Sequence, residues 1–149
     1  MNRLTLTYRF DESYYDHSLP RDDFGWLGVE VETENFRGTS GFWVQWQDVV
    51  DLGEAIPSSP ARLATPLEAQ WGFNMQEGDD LIVRIAIVPH GKLGELVVRV
   101  ELADQYEPTN RVRASFTTTY SALDLFKADL SRLMAEELDR AELLGRETT

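Results

Sequence analysis

The chain is expected to be an α+β protein: an antiparallel sheet of about seven strands, a short inserted helix and a long C-terminal helix packed on the sheet. Three observations predict this. Apolar and polar residues alternate with period two in one segment after another between Leu4 and Thr118, the pattern of half-buried strands. The connectors MQEGDD, PHGKLG and QYEPTN are turn-sized and rich in Gly, Pro, Asp and Asn, so the later segments join as antiparallel hairpins. From Ser121 the period lengthens to that of a helix.

Each element follows in order. Leu4, Leu6, Tyr8 and Phe10 share one face of a first strand, with Arg3, Thr5, Thr7 and Arg9 on the other. DESYYDHSLPRDDFG, with its acids, Pro20 and Gly25, is a long polar loop. A second strand turns Leu27, Val29 and Val31 inward and Glu30 and Glu32 outward. The third runs from about Phe36 to Trp46, with Phe42, Val44 and Trp46 on one side and Trp43 and Gln45 on the other. Gly38 and Gly41 in it suggest a bulge or a close backbone approach. A short helix fits Asp48 to Ile56, with Asp48 as its cap and Val49, Leu52 and Ile56 on one face. PSSPARLATP is a stiff surface loop. Four further strands carry the alternations Leu67–Ala69–Trp71–Phe73, Leu81–Val83–Ile85–Ile87, Leu96–Val98–Val100–Leu102 and Val112–Ala114–Phe116–Thr118. Leu123, Phe126, Leu130, Leu133, Met134, Leu138 and Ala141 then trace a helical stripe. Ser121 with Asp124 opens it as a capping-box-like start, Gly145 stops it, and the last few residues fray.

With 149 residues and no cysteine, the chain is expected to fold as a single domain, 1–149, without disulfides, thiolate metal sites or a cysteine nucleophile. Its net charge of −12 disfavours nucleic acid and anionic membranes, and would steer in a basic partner. Solubility alone is the plainer explanation of that acidity. The segment 81–119 is nearly neutral, so the flanks hold the negative field. MNRLTLTYRF lacks the apolar core of a secretory signal, and no stretch is long enough to span a membrane, which makes the cytoplasm the expected compartment.

Histidine is the usual acid–base residue at neutral pH, and His17 and His90 both sit in predicted loops or turns. His17 lies among Asp16, Asp22 and Asp23, but the spacing fits neither a zinc nor a calcium pattern, so a solvated acidic loop is expected and no metal or other cofactor. Glu30 and Glu32 share a strand face, as the paired acids of a hydrolase would; ordinary exposed strand acids look the same. Arg84, Arg99, Arg111 and Arg113 fall on the polar phase of successive strands, with Glu95 and Glu101. They form either cross-strand ion pairs or an anion-binding patch, the former being the simpler arrangement. Trp43 lies opposite Phe42, Val44 and Trp46, so it is an interface anchor if that phase meets water and core if the helix covers it.

The order of features resembles small bacterial immunity-type proteins of the WapI-like kind and related small uncharacterised bacterial families. The resemblance rests on Val29–Phe36–Arg37–Gly38, the aromatic strand Phe42–Trp46, the helix Asp48–Ile56, the strand pair Leu81–Val88 and Leu96–Leu102, and the Thr117–Leu133 passage from strand to helix. The acidic stretch 11–25 and the proline loop 57–66 depart from it. It implies a protein without enzymatic activity that binds and neutralises a toxin; no binding residue carries over. The expected function is therefore partner binding, with Trp43 as anchor and Asp11, Glu12, Asp16, Asp22 and Asp23 steering a basic protein. A small-ligand or carbohydrate site on Trp26, Trp43 or Trp71 is the alternative, and a hydrolase using Glu30 and Glu32 a third.

Overall fold

The computed structural model describes residues 1–10 and 24–147. Strands β1 (Arg3–Phe10), β2 (Phe24–Glu32), β3 (Arg37–Gln45) and β8 (Ala141–Leu144) form one antiparallel sheet in the order β3-β2-β1-β8. Strands β4 (Leu67–Gly72), β5 (Leu81–His90), β6 (Glu95–Ala103) and β7 (Arg111–Thr119) form a second antiparallel sheet in sequential order. Helix α1 (Trp46–Ala55) links the sheets, and α2 (Tyr120–Met134) connects β7 to β8.

The α+β class is as expected, but the single sheet of about seven strands is not: the strands divide into two sheets of four. Each sheet is apolar on one face. Leu4, Leu27, Val29 and Val31 from the first, Ile85, Ile87, Val98 and Val100 from the second, and Leu52, Phe126 and Leu130 from the helices share one buried cluster. Packing the two apolar faces and the helices around one core removes both faces from water together. Where β3 approaches the second sheet it packs instead of pairing: the Ser40 hydroxyl donates to the Ala103 carbonyl at 2.5 Å.

The C-terminal helix is shorter than its apolar stripe suggests. It ends at Met134, and the chain turns through Glu136, which takes a left-handed φ of 63°. Ala141 and Leu143 are then buried as strand residues on the open edge of β1. Gly145 follows that strand and is no helix stop; its N–H donates to the Asn2 carbonyl at 2.8 Å. The expected fraying does not reach residue 146, whose N–H donates to the Thr117 carbonyl and whose guanidinium binds Glu95; Thr148 and Thr149 lie outside the described residues.

Several boundaries also differ. The cap of α2 is Thr119, which accepts from the Ala122 N–H at 3.2 Å, and not Ser121. Asp48 lies inside the first turn of α1, whose cap residue is Gln45. β4 ends before Phe73, which leaves the sheet and meets Phe42 edge to face at 5.0 Å. The proline-rich loop is anchored where the Leu63 N–H donates to the Tyr120 hydroxyl at 3.1 Å.

Candidate binding face

The outward face of the first sheet begins with the phase of its residues. Turning Leu27, Val29 and Val31 inward sends Phe24, Trp26, Glu30 and Glu32 outward, and register places Trp26 opposite Trp43. Trp43 is 43% exposed, so it faces water and is not core. The two indoles meet edge to face, 5.4 Å apart at 73°. Gly41 makes this possible: a Cβ there would come within 2.6 Å of Cε2 and Cζ2 of Trp26, so the indole lies directly over bare backbone. Phe24, also exposed, extends the aromatic end of the face.

That end of the sheet is also where the acidic stretch starts and finishes, because Phe10 and Gly25 form the final β1–β2 pair. Asp11, Glu12, Asp16, Asp22 and Asp23 themselves, with His17, lie outside the described residues. Among the described residues no group of three His, Asp or Glu side chains is placed to hold a metal ion. His90 is exposed at the end of β5.

Further along the same face a shallow recess of about 320 Å³ is lined by Thr5, Thr7, Thr39 and Gly28, with Arg140 at its rim. Glu30, one of the paired acids, also lines this recess, together with Arg3. Glu30 meets Arg3 at 3.8 Å and Arg37 at 3.3 Å, while Glu32 meets Arg3 at 3.4 Å, so both carboxylates sit among guanidinium groups. Trp71, by contrast, is 8% exposed and belongs to the core, which removes it from the aromatic candidates.

On the outward face of the second sheet, ion pairs form at three of the four expected arginines. Arg84 binds Glu68 at 2.9 Å, and Glu101 takes both Arg111 at 2.7 Å and Arg113 at 3.4 Å. Glu95 is not part of that network and pairs with Arg146.

Sequence reasoning passed over Phe24 and Lys127. The outward phase of Phe24 is legible from Glu30 and Glu32 in the same strand. Lys127 carries no such signal, since a lysine on a helix is ordinarily solvated. Its ammonium donates to the carbonyls of Gly53 at 3.0 Å and Ile56 at 2.5 Å, tying the end of α1 to α2 beside an apolar cleft of about 270 Å³.

A braced indole on an open sheet face is a rigid apolar anchor. It has two side-chain torsions to immobilise and a large surface to desolvate, so it adds contact area at low entropic cost.

No protein-family model matches this chain, and no curated protein matches it. The crystal structure of WHY3 from Arabidopsis thaliana is similar in outline, with 11% identity, 90% of this chain and 82% of that chain covered, and a TM-score of 0.47. A likeness at that level carries no argument about this protein. Among the described residues, no helix is long and apolar enough to cross a membrane.

Proposed function

We propose that this chain is a non-enzymatic, cytoplasmic protein-binding protein of bacterial origin, an immunity protein that neutralises a basic toxin domain. The observation that carries the reading is Trp43: exposed, braced by Trp26, and located where the acidic stretch joins the sheet. The net charge of −12 adds the long-range part, accelerating encounter with a cationic surface. The open shape of the face suits a macromolecule better than a ligand that must be largely enclosed. Affinity capture from native lysate tests this, with the wild-type chain and Trp43→Ala as baits at low and high salt. A single basic protein retained by the wild type at low salt, and lost both with Trp43→Ala and at high salt, is the expected result. A partner held equally by both baits at both salts refutes the reading.

A second reading rests on the recess beside the aromatic pair. The hydroxyls of Thr5, Thr7 and Thr39 next to two indoles suit a carbohydrate, which combines hydrogen-bonding groups with an apolar ring face. Saturable quenching of tryptophan emission by an oligosaccharide, abolished in Trp43→Ala, is its expected signature; unchanged emission across an oligosaccharide panel removes it.

A further inference from the structure

The second sheet presents a face that the partner reading does not use. Register sets Arg84 of β5 and Arg113 of β7 on either side of Glu101 of β6, and sets Ala86 and Ser115 on either side of Arg99. Because Ala86 and Ser115 are small, the sheet sinks there into a recess of about 330 Å³, lined also by Arg84, Arg99 and Arg113. Two acids, Glu68 and Glu101, stand at the same recess, and both are already committed: Glu68 to Arg84 at 2.9 Å and Glu101 to Arg111 at 2.7 Å.

The donors there are not all used. Arg99 is exposed and makes no hydrogen bond or ion pair among the described residues, and neither does the Ser115 hydroxyl. The Nε of Arg84 is buried and has no acceptor. Arg113 reaches Glu101 at 3.4 Å with a side chain 77% exposed, a contact of the kind that contributes little. A folded chain of net charge −12 thus lines this recess with three arginines against two acids.

We propose that this recess binds a phosphate group carried by a small molecule. Guanidinium groups from three neighbouring strands suit the oxygens of a tetrahedral dianion, and charge-assisted bonds of this type are about twice as strong as neutral ones. The charge argues for a small ligand. A long polyanion would also lie along the acidic body, within the screening length of about 8 Å, and be repelled, while a single phosphate group feels mainly the arginines beside it.

The test is a titration of the intact, isotope-labelled chain with inorganic pyrophosphate at constant ionic strength, followed by the arginine Nε–H and backbone amide resonances. Citrate and a single-stranded oligonucleotide serve as competing anions. Saturable shifts confined to Arg84, Arg99, Arg113, Ser115 and their neighbours are expected. Arg99→Gln should weaken binding about tenfold, the loss of one charged hydrogen-bonding group, whereas Lys92→Gln on the β5–β6 hairpin should leave it unchanged. Absent saturation at millimolar pyrophosphate, equal affinity of Arg99→Gln, equal shifts from citrate, or tighter binding of the oligonucleotide would each overturn the proposal. Arg99 is exposed, so its replacement leaves the fold intact; Ser115→Ala, with an expected loss of about threefold, provides an independent second variant.

Discussion

Replacing Lys127 with methionine removes one charge and leaves most of the side chain's length in place. In the native chain the Lys127 ammonium donates to the carbonyls of Gly53 and Ile56, at 3.0 and 2.5 Å. These carbonyls lie at the end of α1, where the helix dipole is negative and where the last turn has no basic residue of its own. A hydrogen bond from a charged donor contributes about 1.5–3 kcal/mol, so two give roughly 3–6 kcal/mol before correction. Lys127 is only partly buried, so water takes over part of that role at the freed carbonyls, and methionine gains apolar contact along the cleft wall formed by Trp46 and Met134. A net loss of about 2 kcal/mol remains, equivalent to a fall of roughly 4–8 °C in Tm for a chain of this size. Urea unfolding followed by circular dichroism measures it directly. The midpoint should drop while the slope stays constant, because the surface exposed on unfolding hardly changes. Amide exchange should quicken most in the last turn of α1. A stability change below about 0.5 kcal/mol, the range of ordinary surface substitutions, would refute the view that Lys127 holds α1 in place. So would a change no larger than that of Lys92→Met on the exposed hairpin. The consequence reaches the candidate face, because α1 continues directly from β3, the strand that carries Trp43.

Three further outcomes follow from the same geometry. Trp43→Ala should cost the isolated protein no more than about 2 kcal/mol in thermal or urea unfolding, since the residue is half-buried, yet weaken binding of a captured partner by about 30-fold or more in calorimetry. A larger stability loss with undiminished affinity would make Trp43 a packing residue. Gly41→Ala places a methyl 2.6 Å from the Trp26 indole and from the Leu27 carbonyl, so it should destabilise the fold by about 1–3 kcal/mol and shift tryptophan emission to the red; unaltered emission and Tm would show the contact to be slack. Association with a basic partner should slow steeply as salt rises while dissociation changes little, read by stopped-flow fluorescence; a salt-independent on-rate removes the steering role of the acidic stretch.

Much of the fold is legible in the sequence because strand alternation is local. The pleat alone decides that Leu27, Val29 and Val31 share a side, and this puts Trp26 with Glu30 and Glu32. The same rule separates Trp43 from Val44 and groups Trp71 with Leu67 and Ala69 on the side that is buried. For Trp43, alternation predicts the side of the strand; whether that side meets water depended on where the helices went. Their Leu52, Phe126 and Leu130 join the cluster of inward strand residues, so the outward face of the first sheet, Trp43 included, stays open.

Pairing is a different kind of information. A period of two records which face each side chain joins and says nothing of which strand lies beside which, so a single sheet and two sheets of four leave the same trace in the chain. The residues AELL are too few to show a period, and Ala141 happens to continue the helical stripe of α2. They became β8 because β1 had an unpaired edge within reach once the chain had turned at Glu136. Arg84, Arg99 and Arg113 are likewise visible as outward residues, but the recess between them exists because Ala86 and Ser115, distant in sequence, came to flank Arg99. What the sequence by itself determined were the sides of strands, the charge and the aromatic inventory, all properties of neighbouring residues. The tertiary structure alone decided sheet partition, edge pairing and which outward residues share a surface, since these depend on contacts between residues far apart in the chain.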